Sequence, residues 1–468
     1  MTTVNVVLLC AYALLHVYVV NRTGRRDLFS PISFLALLNL VRVTPYALSA
    51  ILDPSVVDGR VLSAIGQRNF QAVVCEYLII EVLSSAVFFY ILSRRTLSWS
   101  SIKISGREHL FSHGLIWCLL AVGLVMVGAR ASSAGGLSYL LENLARRTEL
   151  TAGRAYLFAP GYIAFAAGIA ASAQRYAAFK KRADLALMIL VLLCGFAGMS
   201  VFGGRKDGLL LLCTALISYS YYVRPFKWTS LLLPVLVLGV AAYNYVVHVA
   251  RQVNGLALVL ADPGEVLVAG LEDIAFFFKT LSYMDTYLFI IHYFQEEPYW
   301  GLAILRGVST AFIPSLIYPE KPPVDEGVYV RALLEGEHLV PPVPARDLYL
   351  SSLPPETLGN GYLAYGVIGV LVFMALKAYV LRSALNVRMI RTPALATAFL
   401  VYFVFNFQIS PLRFVQVTML FALCLAISFL PLAGSRRTKK GRITQQREIP
   451  AGGGPPNRVG VIGDPPRP

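Results

Sequence analysis

The sequence predicts an all-α, polytopic integral membrane protein with about eleven transmembrane helices and one long, partly helical loop on the outer side. Three observations predict it. Of 468 residues, 57% are hydrophobic and only 14% charged, too apolar for a water-soluble surface and too long for one buried core. Runs of roughly 20 mostly apolar residues, the length that crosses hydrocarbon, recur along almost the whole chain. Counted alternately from the first run, the segments on one side are all basic, as the positive-inside rule requires.

The first run, near residues 4–20, has no basic residue ahead of it and is followed by Arg22, Arg25 and Arg26. That pattern places the N-terminus outside and reads as a retained helix rather than a cleaved signal. Further runs lie near 31–51, 71–92, 112–128, 156–173, 184–202, 208–222, 229–248, 361–381, 393–408 and 413–431. The inside segments then carry Arg94, Arg95, Lys103 and Arg107; Arg175, Lys180, Lys181 and Arg182; Arg224 and Lys227; and Arg382, Arg388 and Arg391. The last run leads into Arg436, Arg437, Lys439 and Lys440, so the C-terminus falls inside. Residues 435–468, rich in Gly, Pro and charge, read as a disordered basic cytoplasmic tail without a catalytic role, leaving 1–434 as the transmembrane domain.

The net charge of +15 follows largely from these inside segments and calls for no nucleic acid partner. All six cysteines lie in or beside apolar runs without metal-ligand spacing, which fits inert core thiols better than disulfides or metal ligands. Two apolar stretches are too charged or too short to span. Residues 265–295 contain Glu272, Asp273, Lys279 and Asp285, and are expected on the outer membrane surface or within the outer domain. In 136–147 a stripe of Leu137, Leu140, Leu141 and Leu144 opposes Glu142, Arg146 and Arg147, the pattern of an interfacial helix.

With the topology fixed, the informative residues are cations on the outer side, where positive charge is disfavoured. They are Arg130, Arg146, Arg147 and Arg154, then Arg205 and Lys206, then Arg251, Arg331, Arg346 and Arg413. An anionic ligand at that face explains them. In Gly203-Gly204-Arg205-Lys206-Asp207-Gly208 two cations open a helix, opposing its dipole by roughly 0.3–1 kcal/mol unless an anion sits between them. Free backbone N–H groups, glycines and two cations make a phosphate cradle; the alternative is a loop bonded to lipid headgroups. Arg413, just after Pro411, repeats the geometry and reads equally well as a headgroup anchor. Arg251 sits at a helix C-terminus, where a cation is welcome in any case, and Arg146, Arg147 and Arg154 can snorkel from an interfacial helix. Within the membrane, Arg42, Glu76 and Glu81 stand out; Arg42 and Glu81 fall at similar depth and suit a neutralising ion pair.

Residues 249–360 form the only large outer segment. Tyr283, Tyr287, Tyr293, Tyr299 and Trp300 suit either stacking on sugar rings or a membrane-interface belt. Two proline-rich patches follow, Ile313-Pro314 through Pro322-Pro323 and Leu353-Pro354-Pro355-Glu356-Thr357-Leu358-Gly359-Asn360-Gly361-Tyr362; the second runs into Tyr365-Gly366-Val367-Ile368-Gly369. Proline and glycine so dense beside a membrane helix imply a fixed turn.

These patches, with the Gly-Gly-Leu-Ser-Tyr-Leu run at 135–140 and the Gly203-Gly204-Arg205 hairpin, resemble bacterial polysaccharide repeat-unit polymerases of the Wzy type, which extend O-antigens and exopolysaccharides. The resemblance spans most of 130–385. The family's turn usually reads Gly-Glu-x-Tyr, whereas here Gly359-Asn360-Gly361-Tyr362 has Asn at the acidic position, shifting attention to Glu356. The resemblance implies a metal-independent, inverting glycosyltransferase of GT-C type, without a cofactor, on the outer face of the bacterial inner membrane. Its donor and acceptor would be undecaprenyl-pyrophosphate-linked oligosaccharides, and a chain-length regulator is an expected partner.

The residues suit that chemistry. A departing pyrophosphate needs permanent, bidentate positive charge, which Arg205 with Lys206, Arg147, Arg154, Arg251 or Arg413 supplies without magnesium. No Asp-x-Asp motif or P-loop points to a nucleotide-sugar enzyme. Candidates for the general base are Glu356, Asp347 and His338, with Glu326 and Glu337 beside them on the outer loop; Glu356 has the best motif context, although a helix cap explains it equally well. An O-antigen ligase, with the same donor and a different final acceptor, and a polysaccharide transporter or flippase are the competing functions.

Overall fold

Helices are what an apolar chain must form where no water can satisfy its backbone, because each N–H and C=O is then paired within the segment. The computed structural model describes residues 1–23, 28–93, 110–146, 150, 155–202, 204–226, 232–252, 255–272, 274–311, 313, 317–318, 320–344, 347–348, 351–384, 390 and 392–429. Their regular structure is entirely helical. In chain order it comprises α1 (Thr2–Thr23), α2 (Pro31–Leu52), α3 (Gly59–Ile65), α4 (Gln67–Ser93), α5 (His113–Ser133), α6 (Leu137–Glu142), α7 (Ala155–Phe179), α8 (Arg182–Ser200), α9 (Arg205–Tyr222) and α10 (Leu232–Ala250). There follow α11 (Gly255–Ala261), α12 (Pro263–Glu272), α13 (Ile274–Ser282), α14 (Met284–Glu296), α15 (Gly307–Thr310), α16 (Gly327–Leu334), α17 (Glu356–Ala384), α18 (Pro393–Asn406) and α19 (Pro411–Phe429).

Each of the eleven predicted runs falls on a helix. Among the described residues seven helices are long and apolar enough to cross a membrane: α1, α2, α4, α5, α8, α17 and α19; α18 and the Val237–Ala250 part of α10 are shorter apolar helices. This is the profile of a polytopic membrane protein. The predicted tail, 435–468, lies outside the described residues.

Two packed regions organise the bundle. In the first, α7 is the hub: Ala164, Ala166, Ala167, Ala170, Ala171 and Ala173 are all buried, and α5, α8, α9 and α18 pack around them. Small side chains let neighbouring backbones approach closely, which is where lipid-embedded helices gain their contact energy. Gly168, against Val191 of α8, shows that approach. In the second, α1, α2, α4, α14 and α17 enclose Tyr12, Phe70, Tyr77 and Tyr287.

Two stretches set apart in the sequence lie only partly at a surface. In 265–295 most of α12 is exposed, whereas α13 packs on α2, and α14 packs on α4 and α17 with Met284, Leu288, Ile290 and Ile291 buried. Two of its charges are satisfied within the bundle: Asp285 accepts from Tyr46 Oη at 2.6 Å and from the Asp58 backbone N–H at 3.1 Å, and Lys279 lies 3.9 Å from Asp285. The 136–147 stripe is also only half realised. Its helix is one six-residue turn and a half, Leu140 and Leu144 are buried with Ala131, Ala134 and Phe202, and Leu137 is exposed. The cysteines are all free, yet only Cys424 is buried, and Cys10 and Cys118 are exposed on flanks that lipid would cover.

The feature that positions the site is α17. Residues 351–355 reach it without regular structure, and Glu356 opens it at φ 51°. Nine residues later the helix breaks at Tyr365 (φ −151°, ψ 32°) and Gly366 (φ 60°, ψ −144°). Only glycine adopts the second conformation freely. The chain reverses there, bringing Gly361 against Gly369 and Val370, where neither glycine has room for a Cβ. The two arms therefore run side by side, and the short first arm is re-entrant. Such a break is tolerated at membrane depth where it is buried in protein or lines a cavity.

Candidate functional site

The re-entrant arm puts Glu356 in the middle of the bundle rather than on the outer loop where the sequence placed it. Arg42 lies eleven residues into α2 and Lys377 ten residues beyond the break in α17, about 15 Å along either helix. Arg42 Nη1 donates to Glu356 Oε2 at 3.0 Å, and its Nη2 lies 3.9 Å from Glu81. The predicted Arg42–Glu81 pairing is thus present as the longer limb of a three-residue cluster. Tyr77 Oη donates to Glu81 at 3.1 Å. Side-chain exposures of 18% for Arg42, 11% for Glu356 and 3% for Glu81 leave little water to screen them.

A second chain of bonds fixes the arm from its other side. Thr357 Oγ1 donates to Gln408 Oε1 at 2.6 Å, and Lys377 Nζ donates to the same oxygen at 2.8 Å. The Ile409 N–H donates back to Thr357 Oγ1 at 3.0 Å. Asn360 Nδ2 donates to Glu326 Oε1 at 2.9 Å and to the Ile409 carbonyl at 3.0 Å. Asn360, standing where the family resemblance expects an acid, therefore ties the residue before α16 to the link between α18 and α19. Glu326 lies outside the spanning helices, and burial raises its carboxyl above the ordinary value. Glu76 is accounted for as well: it accepts from Gln295 at 2.8 Å and from Tyr362 Oη at 2.7 Å.

Of these groups, Arg42, Glu81, Glu356, Thr357, Lys377 and Gln408 line one cavity of about 630 Å³. Four cations, Arg42, Lys206, Arg251 and Lys377, face two carboxylates, Glu81 and Glu356, an excess of two positive charges. Tyr283, Tyr287, Thr280 and Asn244 add polar contacts, with Asn244 Nδ2 donating to Thr280 Oγ1 at 2.8 Å. The remaining wall is apolar, formed by Phe34, Leu38 and Val41 of α2, Leu209 and Leu216 of α9, and Val237 and Val240 of α10. A volume of this order suits a small ligand or the head of a larger one.

The predicted site residues divide sharply. Glu356, Lys206 and Arg251 come together on this cavity. Arg413, third residue of α19, lines a smaller cavity that shares Lys206, and its Nη1 donates to Gln416 at 2.8 Å. Asp347 and His338 are both exposed on the segment after α16 and line neither cavity, because the re-entrant arm carries only Glu356 inward. Arg147 and Arg154 lie outside the described residues, as does the Arg205 side chain, although Arg205 does open α9 with Gly204 at its N-cap. Arg331 pairs with Glu335 instead of facing a ligand. Lys377, Gln408 and Thr357 were not singled out by sequence. The signal for Lys377 was present, since it is the lone charge within the predicted run 361–381.

The fold and the cavity define a polytopic helical membrane protein with a mainly apolar, cation-bearing chamber at the start of the broken helix α17. Compared with family models, curated proteins and solved structures, the chain matches none.

Proposed function

We propose that this chain is a membrane glycosyltransferase that joins undecaprenyl-pyrophosphate-linked oligosaccharide repeat units on the outer face of the bacterial inner membrane, with about eleven transmembrane helices, an outer N-terminus and an inner C-terminus. The observation that carries this reading is the chamber's composition. An apolar wall meets four cations and one re-entrant carboxylate, the combination that a polyprenyl chain, a pyrophosphate and a reacting hydroxyl each need.

In this reading the lipid tail lies along α2, α9 and α10, and the pyrophosphate faces Lys206, Arg251 and Lys377. The acceptor hydroxyl oxygen attacks the donor's anomeric carbon from the side opposite the phosphate, forming the new glycosidic bond as the carbon–phosphate-oxygen bond breaks. The proton passes to Glu356, and undecaprenyl pyrophosphate leaves with the bonding electron pair, its growing charge met by fixed cations. Arg42 orients Glu356 through the 3.0 Å bond.

The test is purified protein in vesicles supplied only with lipid-linked repeat units. Chain lengthening that is lost in Glu356→Gln supports the polymerase; lengthening unaffected by that change sinks it. Transfer only when a different final acceptor is added identifies a ligase. A transporter remains the second reading, favoured by the broken α17 with charge at its tip. Movement of the intact lipid-linked oligosaccharide across the bilayer without lengthening would select it.

A further inference from the structure

Beside the chamber lies a second cavity of about 300 Å³, where the C-terminal end of α5 meets the first turns of α7, α9 and α19. Its polar lining is Arg130, Lys206, Asp207, Arg413, Gln416 and Tyr402. Three cations face one carboxylate. The Arg130 guanidinium lies over Phe202 at 4.2 Å and over Phe158 at 5.6 Å, which orients it, while its buried Nε has no hydrogen-bond partner. Lys206 and Arg413 stand in the first turns of α9 and α19, where the helix dipoles add to the positive potential instead of offsetting it. Positive charge so concentrated and so sparingly hydrated is unfavourable without an anion.

We propose that this cavity is a separate phosphate site, binding the phosphate or diphosphate of an anionic ligand through Arg130, Lys206 and Arg413. Guanidinium groups give paired N–H donors to phosphate oxygens, and Lys206 supplies a point charge between the two cavities. The proposal stands whether or not the larger chamber performs glycosyl transfer. The same chemistry accommodates two sources, an anionic lipid headgroup or a free phosphate.

Full-length protein in phosphatidylcholine nanodiscs is titrated calorimetrically with inorganic diphosphate, and native mass spectrometry of detergent-extracted protein reads retained phospholipid. Arg130→Gln and Arg413→Gln are each expected either to weaken diphosphate binding at least tenfold, marking a free phosphate ligand, or to strip a retained anionic phospholipid, marking a headgroup. Arg130→Lys and Arg413→Lys keep the charge and retain part of the binding, which separates a site effect from misfolding. Arg60→Gln, at an exposed residue lining neither cavity, behaves as the unsubstituted protein. Absence of any phosphate-bearing molecule in both arms, or binding unchanged by both glutamine substitutions, overturns the proposal.

Discussion

Thr357 and Lys377, twenty positions apart on one helix, hold the same side-chain oxygen of Gln408. In a straight helix they would stand about 30 Å apart. The reversal at Tyr365–Gly366 is what brings them together, and it depends on the Gly361–Gly369 approach. Gly369→Ala is therefore expected to force the arms apart, destabilising the protein by about 1–3 kcal/mol of overpacking. Thermal unfolding in detergent measures it; a melting temperature equal to the unsubstituted protein's would show that the arms are not in contact.

Arg42 pairs closely with Glu356 and lies 3.9 Å from Glu81 in a poorly hydrated interior. Arg42→Met strips Glu356 of its ion pair and is expected to lower stability by about 3–5 kcal/mol, visible as a drop in folded yield. The double change Arg42→Met with Glu356→Gln should be milder than the sum of the two single changes. Strict additivity would count against the ion pair.

Lys377 is bonded to the same Gln408 oxygen as the arm's Thr357, whereas Glu356 is the proposed proton acceptor. In the lengthening assay, Glu356→Gln is expected to reduce turnover roughly 10²–10⁴-fold, the range for a lost general base. Lys377→Gln should also reduce turnover, and it should flatten the salt dependence of donor binding. Undiminished turnover in Lys377→Gln would remove that residue from the pyrophosphate contacts.

Glu326 supplies a pH signature outside the spanning helices. Burial is the largest influence on it and raises its carboxyl above the unfolded value, with bonds from Ser410 and Asn360 pulling the other way. The folded state thus holds this proton more tightly than the unfolded chain. Its contribution to stability is complete below about pH 4.3 and is lost as pH rises through the raised value. Glu326→Gln removes the titration, so the melting temperature of the unsubstituted protein should fall relative to the variant's over that interval. Parallel profiles would exclude the effect.

Reporter fusions test the orientation: position 340 should report outside and position 445 inside. The opposite pattern would turn Lys206 and Arg413 into ordinary orientation signals and remove the reason to expect an outer anion.

Much of the architecture was legible because hydrocarbon imposes one rule on every span, and run length with basic flanks records it. The site was legible in parts. Lys206, Arg251 and Arg413 were visible as cations on the side where positive charge is disfavoured, and Glu356 by its motif context; all four line the cavities. What hid the rest is that the reversal leaves no periodic mark: residues 356–360 read as the tail of a loop and 361–364 as the start of a span, so Glu356 was grouped with Asp347 and His338 on the loop. The role of Asn360 was similarly hidden, because its partners Glu326 and Ile409 lie 34 and 49 positions away.

The way the chain reaches Glu356 carries one more consequence. An irregular segment entering a buried region brings amide donors with it, each expensive to strand. Here the Leu353 N–H is taken up by the Gly327 carbonyl at 2.9 Å, and Pro354 and Pro355 have no amide hydrogen to offer. The Pro355 carbonyl in turn receives the Gly359 N–H at 2.8 Å. The two imino acids thus let a loop sink to the depth of a salt bridge without adding thirst on the way down, and replacing either by alanine would restore a donor where none can be quenched.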